Sequence, residues 1–159
     1  MSFVERGDRQ PGATPSDRPS VNVARWQLNE ERAARRAAAD AVLMTLAESI
    51  LRNSAYQDDS WESLTLVAVL ADTESQFGYV YDREGGWAAR VPQGFEVLDK
   101  MIELRSVMSV PGKPDWKTCL LQIKRADMSL KVDFEYDDVD RWQVTPQNLR
   151  EKVEELRPR

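Results

Sequence analysis

The residues with the most chemical potential fall together late in the chain. Asp133, Glu135, Asp137, Asp138 and Asp140 place five carboxylates in eight positions with no basic residue among them. The segment alternates, so in an extended chain Leu130, Val132, Phe134 and Tyr136 point one way and Lys131, Asp133, Glu135 and Asp137 the other. Carboxylates two residues apart on a strand face sit roughly 6.5–7 Å from one another. That interval is too wide for all of them to hold one ion. A magnesium site built on Asp133 and Asp137 would want a further carboxylate from a neighbouring strand or loop, such as Asp82 or Asp138. Three readings follow: a solvated outer face, a docking surface for a basic partner, or a carboxylate-dependent magnesium enzyme.

Composition narrows the chemistry further. The 159 residues contain no histidine and a single cysteine, Cys119. A Cys/His zinc site and a histidine-dependent triad are therefore excluded, as is an internal disulfide. Cys119 is flanked by apolar residues in a predicted strand and reads as inert. The Gly85–Gly86 pair lacks the strand–loop–helix context and the lysine of a phosphate loop, and no cofactor is implied. Net charge is −5, and its distribution is uneven. Residues 1–56 hold 8 Lys+Arg against 7 Asp+Glu, whereas residues 57–159 hold 14 against 20. An acidic surface repels nucleic acid and suits a basic protein. No apolar run approaches the roughly 20 residues that span a bilayer, so a cytoplasmic protein that engages no membrane is expected.

The elements that must position the carboxylates follow from periodicity. Residues 1–21 carry Pro11, Pro15 and Pro19 with Gly7 and Gly12 and show no period, which predicts a flexible leader. Residues 22–159 are expected to form one domain. From about Val23 to Asn53 the alanines and the absence of Gly and Pro predict a long helix, with Val42, Leu43, Leu46, Ile50 and Leu51 facing the core. Arg32, Arg35 and Arg36 belong to its solvated side.

Next comes Trp61 and an almost wholly apolar stretch, Leu64–Leu70, expected near the middle of a sheet. Strands over Phe77–Asp82 and Trp87–Val91 follow, linked by a turn in which Gly85 and Gly86 supply positive φ. Residues 92–109 return to helical spacing, with Phe95, Leu98 and Ile102 as the inner stripe. The hairpin of Trp116–Tyr136 then turns at Ala126–Ser129. Thr145 caps a last helix with Pro146 at its first position, and Leu149, Val153 and Leu156 face inward. This order predicts an α+β fold: an antiparallel sheet of about five strands packed with a long N-terminal helix, a middle helix and a short C-terminal helix, with one sheet face or edge exposed. Trp61, Trp87 and Trp116 each open a predicted strand and are expected to plug the core.

Pro114-Asp115-Trp116-Lys117-Thr118-Cys119, a strand, a turn, and then Leu130-Lys131-Val132-Asp133-Phe134-Glu135-Tyr136-Asp137-Asp138 resembles the YezG-like antitoxin (immunity protein) family. Trp61 ahead of an apolar strand, a glycine turn and an aromatic strand is similar too, so the resemblance spans about residues 56–142. It implies an α+β fold and a non-enzymatic role, in which the bacterial protein binds and neutralises a toxin, often a nuclease. The leader and the Ala/Arg-rich helix are longer than that pattern expects. A basic nuclease would be drawn to an acidic surface made of Asp133, Glu135, Asp137, Asp138 and Asp140. The alternatives are the magnesium enzyme above and a homo-oligomeric scaffold in which the N-terminal helix pairs with itself.

Overall fold

A computed structural model describes residues 21–159, with side chains from residue 25 onward. The leader expected over residues 1–21 lies outside the described residues, apart from Val21, which is already helical. By compactness the chain divides into Met1–Asp40 and Ala41–Arg159.

Helix α1, Val21–Arg52, runs through 32 residues without a proline or glycine. In the first unit its Arg32 and Arg36 are exposed and Arg35 is half-buried. In the second unit Val42, Leu46, Ser49 and Ile50 are buried at the 4- and 3-residue steps of a single helix face, with Leu43 and Leu51 half-buried beside them. Asn53 stops the helix. Its side-chain oxygen takes up Ala55 N–H, which begins a one-turn 3-10 helix, Ser54–Tyr56, and its amide group donates to Gln93 O.

Five strands form one antiparallel sheet in the order β3-β2-β1-β4-β5. They are β1 (Ser63–Leu70), β2 (Glu74–Tyr81), β3 (Trp87–Ala89), β4 (Thr118–Lys124) and β5 (Ser129–Glu135). The expected α+β class is what the chain adopts. β1 is central, which accounts for its lack of alternation: both of its faces are buried.

Register sorts the side chains. Leu64, Leu66, Ala68 and Leu70 share a face with Cys119, Leu121 and Ile123 of β4 and with Leu130, Val132 and Phe134 of β5. Thr65, Val67 and Val69 share the other face with Tyr79, Phe77, Leu120, Asp133 and Glu135. Helix α2, Glu96–Met108, lies against β1 and buries Val97, Met101 and Leu104. The stripe is thus one position away from the expected Phe95, Leu98 and Ile102, and Phe95 stands 77% exposed. Gly94, at φ 74°, turns the chain so that the helix starts only at Glu96, with Phe95 outside it as the cap residue.

The second face is also covered, so the expected exposed face or edge is not this face. Trp142 and the C-terminal helix α3, Leu149–Glu155, close over it, and Val67, Tyr79, Tyr81, Leu120, Trp142, Val153 and Leu156 form one cluster. Three polar side chains of the sheet fasten that cover. Tyr81 OH donates to Val153 O at 2.7 Å, Gln122 Nε2 to Leu156 O at 2.9 Å, and Thr65 Oγ1 to the same carbonyl. Both acceptors, Val153 O and Leu156 O, sit at the C-terminal end of α3, where backbone carbonyls lack partners of their own. Only the edges of the sheet, β3 and β5, remain open.

The last helix begins three residues later than expected. Thr145 and Asn148 exchange hydrogen bonds across a turn instead, Thr145 N to Asn148 Oδ1 at 2.7 Å and Asn148 N to Thr145 Oγ1 at 3.3 Å. Of the tryptophans expected to plug the core, Trp61 and Trp116 are buried, and Trp87 is 39% exposed against the edge of Tyr79. In the β2–β3 turn only Gly85 has positive φ. Gly86 is needed for space, because a Cβ there would meet the Asp82 carboxylate at 2.6 Å.

Candidate functional site

Strand register gives the sheet two ends. At one lie Ser63, Tyr81, Trp87, Lys124 and Ser129; at the other lie Leu70 with Glu74, and Thr118 with Glu135. The five candidate carboxylates follow β5 toward this second end, and their environments differ.

Asp133 is half-buried on the face that α3 covers, across the ladder from Leu120. Glu135 is committed inside the chain. Its Oε2 accepts the backbone N–H groups of Asp137 and Asp138, both at 3.0 Å, and its Oε1 meets Arg141 Nη1 at 3.1 Å. Those donors, the two backbone N–H groups first and then the guanidinium, hold its carboxyl below the ordinary 4.5. Its side chain is 16% exposed. It shapes the turn that leaves β5. Asp137, Asp138 and Asp140 are exposed, none makes an ion pair among the described residues, and Asp138 Oδ1 accepts Asp140 N–H at 3.1 Å.

Asp72 and Glu74, from the β1–β2 turn, are exposed at the same end. Sequence reasoning passed over both, although a tight antiparallel turn after β1 and the exit of β5 must share an end once β4 pairs β1 in antiparallel fashion. The acidic feature is therefore the end of a sheet, built from two loops, rather than a strand face.

Beside it is a hollow of about 280 Å³. Val67, Val69 and Phe77 of the sheet form its floor, Trp142 and Val144 a wall, and Asp140 and Ser75 supply polar rim atoms. Trp142 itself is buried, with the Arg141 guanidinium 4.8 Å above its ring. An apolar slot with a carboxylate at its mouth matches a long basic side chain, whose methylene stem is apolar and whose head is charged.

Of the two neighbours offered for a magnesium site with Asp133 and Asp137, Asp82 is out of reach. Asp82 lies at the first end of the sheet, a strand's length from Asp137, because β2 enters at Glu74 and leaves at Tyr81. Its carboxylate is already engaged by Glu84 N–H and Gly86 N–H. Among the described residues no three Asp, Glu, Cys or His side chains group as a metal ion would require. Cys119 is buried, and burial pushes its thiol well above its ordinary value. Among the described residues no helix is long and apolar enough to cross a membrane.

The sequence matches no family model and no curated protein.

Proposed function

We propose that this chain is a non-enzymatic binding protein of the antitoxin or immunity type, acting in the cytoplasm on a basic, nuclease-type toxin. Its contact surface is the acidic end of the sheet. The observation that carries the reading is the joint presence there of unpaired carboxylates, Asp72, Glu74, Asp137, Asp138 and Asp140, and an apolar hollow that opens beside Asp140. Lysine or arginine from the partner enters with its stem between Val69, Phe77 and Val144 and its head on Asp140. The other carboxylates steer the encounter, which speeds association more than it tightens the final complex. Glu135 contributes indirectly by fixing the loop that presents Asp137 and Asp138. The YezG-like pattern of Trp116 and Leu130–Asp138 supports the same class of role.

The test is capture of partner from the native host by the full chain, with bound proteins identified by mass spectrometry. At about 50 mM salt the wild type retains a basic protein, and raising salt to about 500 mM releases most of it, because exposed charges are screened over a few ångströms at that strength. Changing Asp137, Asp138 and Asp140 together to Lys abolishes capture. Retention of the same partner by that triple variant at low salt would reject this surface.

A further inference from the structure

A second pocket, of about 270 Å³, opens on the other side of the same sheet end, between the last turn of α2, the loop to β4 and the residue that follows β5. Its walls are largely apolar, from Met108, Val110, Pro114 and the ring of Trp116. Its charge runs against the chain's acidic balance. Arg105 and Lys113 both line it, and neither forms an ion pair among the described residues; Asp115 is the one carboxylate in its lining. One Arg105 N–H donates to Leu70 O, which anchors the guanidinium and leaves its remaining donors unassigned. Trp116 is 1% exposed, stacks at 5.3 Å on Phe134, and its indole Nε1–H has no hydrogen-bond partner in the protein. That N–H is itself closed off by protein, so what Trp116 offers the pocket is the apolar surface of its ring.

We infer that this pocket binds a small monocarboxylic acid with a compact apolar body. The carboxylate takes the acceptor role that Arg105 and Lys113 leave open, and the body rests against Met108, Val110, Pro114 and the Trp116 ring. An amine would face two cations against one carboxylate. A free phosphate would leave the apolar walls without contact. The volume equals about nine water volumes, which limits the ligand to roughly that number of non-hydrogen atoms. Benzoate has this size and polarity. The inference uses no residue of the proposed toxin contact and stands or falls apart from it.

The experiment follows the indole N–H resonances of the purified, ¹⁵N-labelled full chain during titration with sodium benzoate, with benzamide as the uncharged control. The Trp116 signal is assigned by backbone-linked spectra and checked with Trp116→Phe. Benzoate shifts it saturably with a Kd in the roughly millimolar range set by so few ligand atoms. Benzamide binds at least about tenfold more weakly, and Lys113→Gln, an exposed loop change, weakens benzoate about tenfold, the size of one charge-assisted contact. The inference is overturned if benzoate gives no saturable shift at Trp116, if benzamide matches it, or if Lys113→Gln leaves the affinity unchanged.

Discussion

The two ends of the sheet spend their carboxylates differently. At the first end Asp58 meets Arg90 at 2.7 Å and Asp59 meets Arg125 at 3.7 Å, and Asp82 closes a turn through two backbone N–H groups. The Ser60 hydroxyl and then Arg90 hold Asp58 below its ordinary range. Arg125 also lies 3.7 Å over the Trp61 ring and donates to Asp58 O at 3.0 Å. At the second end Asp72, Glu74, Asp137, Asp138 and Asp140 make no ion pair among the described residues. Equal numbers of acids in a sequence thus say little about a docking surface. What matters is which acids the fold leaves over once its own arginines have been placed.

The change with the largest expected effect removes the framework on which both ends depend. Gly78 sits in β2 opposite Leu66, and a Cβ there would fall 2.5 Å from Thr65 O and 3.1 Å from Arg90 O, both backbone atoms that cannot step aside. Gly78→Ala is expected to destabilise the protein by about 2–3 kcal/mol. Denaturant unfolding measures it. A loss no larger than about 0.5 kcal/mol, the usual size for surface changes, would show that the strands slide apart easily and that the two ends are not rigidly set.

Next is the cover over the second face. Tyr81→Phe deletes the hydroxyl that donates to Val153 O and leaves a buried acceptor at the end of α3. The expected cost is about 1–2 kcal/mol, and hydrogen exchange should show α3 opening before the sheet does. If α3 exchanges together with β1 in the variant, the helix is held by its apolar contacts and by the Gln122 and Thr65 bonds to Leu156 O, without need of the Tyr81 hydroxyl.

A matched pair of substitutions then compares the ends directly. Arg125→Ala, at the first end, removes a cation–π contact and a hydrogen bond and should cost about 1 kcal/mol. Asp137, Asp138 and Asp140 changed together to Lys, at the second, should alter stability by less than about 0.5 kcal/mol, because the one internal bond their side chains make, Asp138 Oδ1 accepting Asp140 N–H, is exposed to water. Thermal unfolding of both variants reads the difference. Equal losses would mean that the second end is as structural as the first.

Periodicity exposed much of this architecture in advance. The apolar run of Leu64–Leu70 could only be a doubly covered strand, and the alternation of Leu130–Glu135 correctly divided β5 between two faces. It could not say that the carboxylate-bearing face would be roofed by α3, since that depends on where the chain after β5, residues 136–159, folds back, a long-range event without local signal. In α2, Val97, Met101 and Leu104 compete with Leu98 and Ile102 as adjacent apolar stripes, and the choice rests on the entry angle fixed at Gly94. For the site, the exposure of Asp137, Asp138 and Asp140 was legible as an unbroken acidic run. The engagement of Glu135 was not, because Arg141 reaches back across a turn whose shape the sequence leaves open. Asp72 and Glu74 join the site only through the pairing of β1 with β4.

The smallest effect separates Glu135 from its neighbours by pH. Its carboxyl is held below 4.5 by the Asp138 and Asp137 N–H groups and by Arg141, so the folded state binds that proton less readily than the unfolded chain. The stabilisation is fully present above the unfolded value and is lost as pH falls through the lowered folded value. Glu135→Gln removes it at all pH values. The stability difference between wild type and variant should therefore be greatest near neutrality and shrink in acid, below 4.5, where the wild-type carboxyl takes up its proton. A flat difference for Glu135→Gln would return Glu135 to the set of free carboxylates and widen the contact surface onto the strand itself.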